Sequence, residues 1–236
     1  MCQVCDTRRL ASRRQFLSAA AAGLALSFAP KTFAAGGPTT HLSADEALAK
    51  LKEGNEKFVR GPELCAAHLA EQRSHVTKHQ APWATVVSCA DSRVPPELLF
   101  GGLGVGELFV ARNAGNMVDT TTMGTIEYGS GVLGVPLIVV LGHERCGAVA
   151  AACEVVEKNT QLPGSIAPMV EAIVPAVRAV QGKPGDFVDN AVRESAVRTA
   201  HKIATESPIV SELVAKGKVR VVAARYDLDE GRVTWL

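Results

Sequence analysis

The sequence has few aromatic residues, 5% of the chain, with two Trp and two Tyr. It offers no stretch of the ~20 strongly apolar residues that a membrane-spanning helix needs. Neither charge dominates: 25 Lys+Arg stand against 24 Asp+Glu, a formal net charge of +1. Nothing in that balance points to nucleic acid or to an anionic membrane. Six cysteines in 236 residues are too few for a disulfide scaffold. A chain of this length needs none, because it can bury roughly 70% of its unfolded surface. What is present is ordinary globular composition, 47% hydrophobic and 21% charged. The placement of the six cysteines therefore carries the information.

A seam lies near the start. Residues 1–34 hold five basic groups (Arg8, Arg9, Arg13, Arg14 and Lys31) and one acid, Asp6. Ser12-Arg13-Arg14-Gln15-Phe16-Leu17 resembles the twin-arginine export motif. An uncharged Ala/Leu-rich run follows to Pro30, then small residues at Ala34 and Ala35. A charged head, a short apolar middle and a small-residue exit are the parts of a cleavable signal. We therefore expect residues 1–34 to be a signal peptide and 35–236 a single domain, periplasmic or extracellular, with no membrane contact once mature. Losing a segment of net charge +4 takes the chain from +1 to −3. Cys2 and Cys5 leave with it. Their C-x-x-C spacing is a weak redox or metal signal in a discarded head. Cys65, Cys89, Cys146 and Cys153 remain.

The remainder alternates. Ser43-Ala44-Asp45-Glu46 is a capping-box pattern opening a helix to about Val59. The polar stretch 61–82, with His68, His75 and His79, reads as a short helix or loop with solvated histidines. Strands are expected at 84–89, 108–112, 137–141 and 219–224, with a short last one at 233–236. The run Leu137-Ile138-Val139-Val140-Leu141 is apolar throughout, which suits a strand buried on both faces. Helices are expected at about 121–133, 146–158, 166–181, 187–206 and 208–216. This is an α/β pattern: a mainly parallel central β-sheet of four strands plus a short edge strand, flanked by helices. The glycine run Gly101 to Gly106 precedes a strand, whereas a phosphate-binding glycine loop opens a helix. It is read as a loop.

Two strands end in metal-ligating residues, one in Cys89-Ala90-Asp91-Ser92-Arg93 and the other in Gly142-His143-Glu144-Arg145-Cys146-Gly147. Ligands of open α/β sheets gather outside the carboxyl ends of the strands, where Cys89 and His143 would sit. Two thiolates and an imidazole form a soft set that suits zinc. Three protein ligands also match a catalytic site with one open position. Asp91 is either a fourth ligand or is held away by a charge-assisted bond to Arg93. Cys153, seven residues after Cys146, reads as a core residue on the same helix. For Cys65 and Cys153 a regulatory disulfide in an oxidising compartment is the alternative.

These segments resemble the β-class carbonic anhydrases, whose C-x-D-x-R and H-x-x-C motifs match Cys89 to Arg93 and His143 to Cys146. Further matches are Gly54-Asn55-Glu56-Lys57-Phe58, Arg112-Asn113-Ala114-Gly115-Asn116, Ile126-Glu127-Tyr128 and Tyr226-Asp227-Leu228. The resemblance spans about Ser43 to Leu236. It implies one Zn2+ per subunit held by Cys89, His143 and Cys146, with Asp91 as a fourth ligand only in a closed, inactive form. It implies reversible hydration of carbon dioxide to bicarbonate and a proton by zinc-bound hydroxide. Asp91, oriented and kept ionised by Arg93, would then be the catalytic acceptor. Gln80, Phe109 and Tyr128 match pocket residues of plant-like members, which reach the zinc from the neighbouring subunit of a homodimer or higher even oligomer. Gly147, next to Cys146, falls in the same pocket. Another group of members has an inhibitory bicarbonate site built on a Trp that is Val86 here, so an open site is expected, although Arg112 and Tyr226 match the rest of it.

Two other readings compete. Carbon disulfide and carbonyl sulfide are linear and isoelectronic with carbon dioxide, so a hydrolase of either fits the same ligands. A non-catalytic zinc-binding protein, permanently capped by Asp91, is the third.

Overall fold

Runs of β-branched and apolar residues at 84–89 and 137–141 need partners on both faces, and the fold supplies them. The computed structural model describes residues 39–61 and 69–236, all within the unit Ala35–Leu236. The expected signal segment, Cys2, Cys5, Cys65 and His68 lie outside the described residues.

Helix α1 (Ala44–Arg60) starts at the capping box: Ser43 Oγ accepts the Glu46 N–H at 3.3 Å, and Glu46 accepts the Ser43 N–H at 2.8 Å. These reciprocal bonds satisfy donors that a helix start leaves unpaired. Helix α2 (Leu69–Val76) lies in the polar stretch, where His75 and His79 are exposed. Strand β1 (Ala84–Cys89) is followed by a single turn, α3 (Pro96–Leu99), and strand β2 (Leu108–Asn113). Helix α4 (Thr120–Glu127), capped by Asp119, runs into a π turn at Tyr128–Val132. Then come β3 (Leu137–His143), α5 (Gly147–Lys158), α6 (Ile166–Glu171), α7 (Val174–Val180), α8 (Phe187–Glu206), α9 (Pro208–Ala215), β4 (Arg220–Tyr226) and β5 (Val233–Trp235).

The five strands form one sheet in the order β2-β1-β3-β4-β5, all pairs parallel except β4 with β5. This is the expected α/β architecture. Every residue of β1 and β3 is buried. Val86, Val139 and Leu141 pack towards Leu48 and Leu51 of α1, whereas Val87, Ile138 and Val140 pack towards Ala196, Ala200 and Ile203 of α8. The period-two alternation of a strand thus divides one apolar run between two helical layers.

Three expectations need correction. The helix expected at 166–181 is two helices, broken at Ala172–Ile173. Pro175 has no N–H for the carbonyl four residues back and its ring crowds that carbonyl. The helix expected at 121–133 is α-helical only to Glu127. Strand β4 runs on to Tyr226, two residues past the expected end, pairing Arg225 with Gly142 and Tyr226 with His143. Arg225 is charged and still lies inside the strand. In the fold its guanidinium is bonded to Asp189 and Asp227 at 2.7 and 2.6 Å, and it stays buried.

The Gly54-Asn55 pair locks α1 to the sheet end. A Cβ on Gly54 would lie 2.0 Å from the Phe100 carbonyl oxygen, so only glycine allows the α3 turn to approach. Buried Asn55 donates to the Leu99 and Gly231 carbonyls at 3.1 and 2.9 Å and accepts the Val233 N–H at 2.8 Å.

Candidate metal centre

Strands β1 and β3 are hydrogen-bonded neighbours, so their carboxyl ends deliver Cys89 and His143 side by side. Cys146 follows within one tight turn. The ligand atoms of Cys89, His143 and Cys146 all lie within 4.8 Å of one another, and all three residues are buried. The turn is tight because Arg145 adopts a left-handed conformation, φ 52°, one that non-glycine residues seldom take. Cys146 is the N-cap of α5, where free N–H groups and the helix dipole favour a thiolate.

The donor set fits a soft divalent cation. His143 Nδ1 is 2.9 Å from the Glu144 carbonyl oxygen. The proton therefore sits on Nδ1, and the lone pair on Nε2. That Nε2 is fully buried and has no hydrogen-bond partner among the described residues. A buried acceptor without a partner is costly in a folded chain, and a metal ion is the partner that satisfies it. A carbonyl fixing the tautomer of a ligating histidine is the usual outer support of such sites.

The two thiols shift each other in opposite directions. The hydrogen bond from Cys146 pushes the Cys89 thiol down, against burial and with help from His143 and the Gly115 N–H. The same bond, with burial, pushes the Cys146 thiol up. Gly115, at φ 77°, turns its N–H onto Cys89 Sγ at 3.3 Å. Two adjacent sulfurs cannot both carry charge unaided, and a cation that binds both displaces the proton.

Beside the triad, Asp91 is held by Arg93 in a two-pronged pair: Nε to Oδ1 at 2.9 Å and Nη2 to Oδ2 at 2.6 Å. The Arg93 backbone N–H adds a third bond to Oδ1 at 2.9 Å. The guanidinium holds the Asp91 carboxyl well below the usual carboxylate range. Its Oδ2 is 3.9 Å from His143 Nε2. Both oxygens of Asp91 are thus taken by Arg93, and Asp91 stands next to the triad as an ionised acceptor. Arg112, on β2, donates to the Cys89 and Asp91 carbonyls at 2.9 and 2.7 Å and fixes this loop from the neighbouring strand. That clasp was not foreseen in the sequence.

A sequence-family model described as Carbonic anhydrase matches residues 84–233. The chain is 38% identical to carbonic anhydrase 2 of Mycobacterium tuberculosis over 182 residues, covering 77% of this chain and 87% of that one. It is 37% identical to the carbonic anhydrase of Mycolicibacterium smegmatis, covering 78% and 88%. The solved structure of the Coccomyxa β-carbonic anhydrase in complex with acetazolamide superimposes with a TM-score of 0.61 at 29% identity, covering 80% of this chain and 86% of that one. The chain belongs to the β-class carbonic anhydrase family. Zinc is the cofactor of that class, and the triad is a fitting donor set for it.

Around this carbonic anhydrase centre the other expected residues divide. Gly147 opens α5 beside Cys146, is exposed, and has open space where a Cβ would point. Phe109 and Tyr128 meet each other, with ring centroids 6.2 Å apart. They do so away from the triad. Phe109 pairs with Thr85, four residues before Cys89 on β1, or ~13 Å back along the sheet at the rise of a strand. Tyr128 is 44% exposed. Gln80 lies exposed in the coil leading to β1. Tyr226 is buried at the end of β4, with the β1 and β3 strands between it and Arg112. Cys153 is a core residue of α5, and burial pushes its thiol up to about 11.

Proposed function

We infer that the chain is a zinc carbonate dehydratase that interconverts carbon dioxide and water with bicarbonate and a proton. The observation that carries this reading is the buried, partnerless Nε2 of His143 facing two cysteine sulfurs, next to a carboxylate engaged by arginine. The relatives bearing the name carbonic anhydrase favour it over hydrolysis of carbon disulfide or carbonyl sulfide.

Cys89, His143 and Cys146 would hold the ion. Zinc, when bound, supplies a Lewis acid that makes water a nucleophile near neutral pH. Asp91 Oδ2 accepts a hydrogen bond from the attacking water and orients it. Arg93 keeps that carboxylate ionised and turned away from the ligand set, which holds the site in its open form. Losing the Arg93 bonds would free the ionised Asp91 carboxylate to approach the triad, whereas protonating Asp91 would remove it as an acceptor.

The active unit in this proposal is a homodimer or a higher even oligomer. Gln80, Phe109 and Tyr128 of one subunit complete the substrate pocket of the other, which suits the exposure of Gln80 and Tyr128 and the distance of Phe109 from the triad of its own subunit. Mixing a Cys146→Ser chain with a Gln80→Ala chain tests this. Activity recovered in the hybrid supports the shared pocket, and strictly additive activity speaks against it.

Export through the twin-arginine route belongs to the same proposal, with cleavage after Ala34 or Ala35. Loading zinc before export protects a dithiolate site from oxidants. Replacing Arg13 and Arg14 together by Lys should leave the precursor inside the cell, and sequencing the mature N-terminus locates the cut. For the activity, stopped-flow hydration of carbon dioxide by the zinc-loaded chain between pH 6 and 9 is decisive. Full zinc occupancy with no turnover at any pH would end the reading.

A further inference from the structure

Glu144 stands between the two ligands of the H-x-x-C turn and has no role in the chemistry above. Its backbone and side chain are nonetheless all engaged. The carbonyl accepts the His143 Nδ1 proton at 2.9 Å. The N–H donates to the Tyr226 carbonyl at 2.9 Å. One carboxylate oxygen accepts the Leu228 N–H at 3.1 Å, and the other faces the Arg225 guanidinium at 3.8 Å. The Glu144 side chain is mostly buried and Arg225 almost wholly so. Next along, left-handed Arg145 donates both guanidinium arms to Asp229, at 2.9 and 2.8 Å. The receiving turn is itself rigid. Asp227 Oδ1 accepts the N–H groups of Asp229 and Glu230 at 2.9 and 2.8 Å, while its Oδ2 binds Arg225 at 2.6 Å.

We propose that the Tyr226–Asp229 turn is a platform that sets the position of the His143 ring, with Glu144 as the positioning residue that transmits it. The physical argument is a matter of degrees of freedom. The orientation of the imidazole depends on one carbonyl, that of Glu144. A carbonyl in a four-residue turn with a left-handed residue at its third position is free to tilt unless the peptide is held. Here it is held on both sides, by a backbone bond to β4 and by a carboxylate seated on the Leu228 N–H. A metal ligand misplaced by a tilt of its supporting carbonyl binds more weakly, and such outer supports typically contribute roughly 10- to 100-fold in metal affinity. Asp229, far more exposed, clamps the Arg145 end and should contribute less.

The inference rests on His143 being a zinc ligand, so the test separates the two claims. Zinc-loaded full-length wild type, Glu144→Ala, Glu144→Gln and Asp229→Asn are each mixed with excess chromogenic chelator, and the rate of zinc release is followed. Cobalt(II)-substituted samples supply visible spectra. Expected is release roughly 10- to 100-fold faster from Glu144→Ala, with altered cobalt bands. Glu144→Gln should restore most of the wild-type rate and spectrum, because its amide oxygen still accepts the Leu228 N–H. Asp229→Asn should show a smaller acceleration, and it keeps the claim testable if Glu144→Ala does not fold. Unchanged release and spectrum in Glu144→Ala, even with a lowered melting temperature, overturn the platform while leaving the zinc site intact. With Glu144→Ala unfolded, unchanged release from Asp229→Asn overturns it as well. A wild-type chain that takes up no zinc overturns both claims.

Discussion

After β1, the Asp91 side chain is held from within its own loop, while Arg112 on β2 clasps the loop backbone. Arg93 reaches back two residues to grip both oxygens of Asp91, and its own N–H adds a third bond. After β3, the chain from His143 to Cys146 is held by a turn 84 positions further on, through Glu144 with Leu228 and Arg145 with Asp229. The first segment presents one ligand, Cys89, and a charge, Asp91, whereas the second presents two ligands. A carboxylate tolerates small displacements, since its field falls off gradually. A ligand lone pair must be aimed, so the loop that aims two of them is anchored to a different part of the sheet. The Asp91 carboxylate is bonded within two residues, whereas the side chains of the ligand turn are bonded 84 positions away.

Four substitutions probe this contrast. The largest effect belongs to the ligand loop. Cys146→Ser should abolish tight zinc binding and reduce hydration to background, and a variant that keeps one zinc per subunit by elemental analysis would break the assignment. Next comes the charged loop. Asp91→Asn should retain zinc but lose about 10²-fold or more of kcat/KM, the scale of losing one preorganised hydrogen-bonding group in an active site. A zinc-free Asp91→Asn would instead make Asp91 a ligand-loop residue in disguise.

Cys153→Ser sharpens the comparison from the core side. Burying a hydroxyl among Val149, Val170, Ile173 and the other apolar residues of its cluster should cost about 1–3 kcal/mol while zinc content stays whole. Its thiol, pushed up to about 11, should resist alkylation until the chain unfolds. Rapid alkylation of the native protein at Cys153 would contradict that placement.

The smallest effect is the pH dependence of the Asp91–Arg93 pair. The folded Asp91 carboxyl lies below its ordinary value, so its contribution to stability is complete above ~3.9, the unfolded carboxyl value, and fades as pH falls through the folded value. The melting-temperature gap between wild type and Arg93→Ala should therefore be constant from about pH 7 to 5 and close only below about pH 3. It should be small and shrink in high salt, since half of Arg93 faces solvent. A gap that widens on acidification would reverse the sign and refute the pairing.

Much of this was legible in the chain itself. The apolar run at 137–141 needed burial on both faces, and strand-end cysteine and histidine are legible as ligands because period-two and carboxyl-end rules are local. The Asp91–Arg93 pair is legible for the same reason, being two residues apart. The break before Pro175 could have been read but was hidden by a continuous apolar pattern. Arg225 could not, because a buried guanidinium makes sense only once Asp189 and Asp227 are beside it. Nor could the Arg112 clasp, which crosses from β2 to the β1 loop.

By itself, then, the sequence determined which atoms could bind a soft metal and which carboxylate could serve beside it, since donor chemistry and short-range pairing are written in residue type and spacing. Only the tertiary structure decided that the donors converge, that the His143 lone pair is left for a metal, and that the second loop is aimed from the Tyr226–Asp229 turn. Those outcomes depend on strand order and on bonds between residues far apart in the chain, which close only when the sheet has formed.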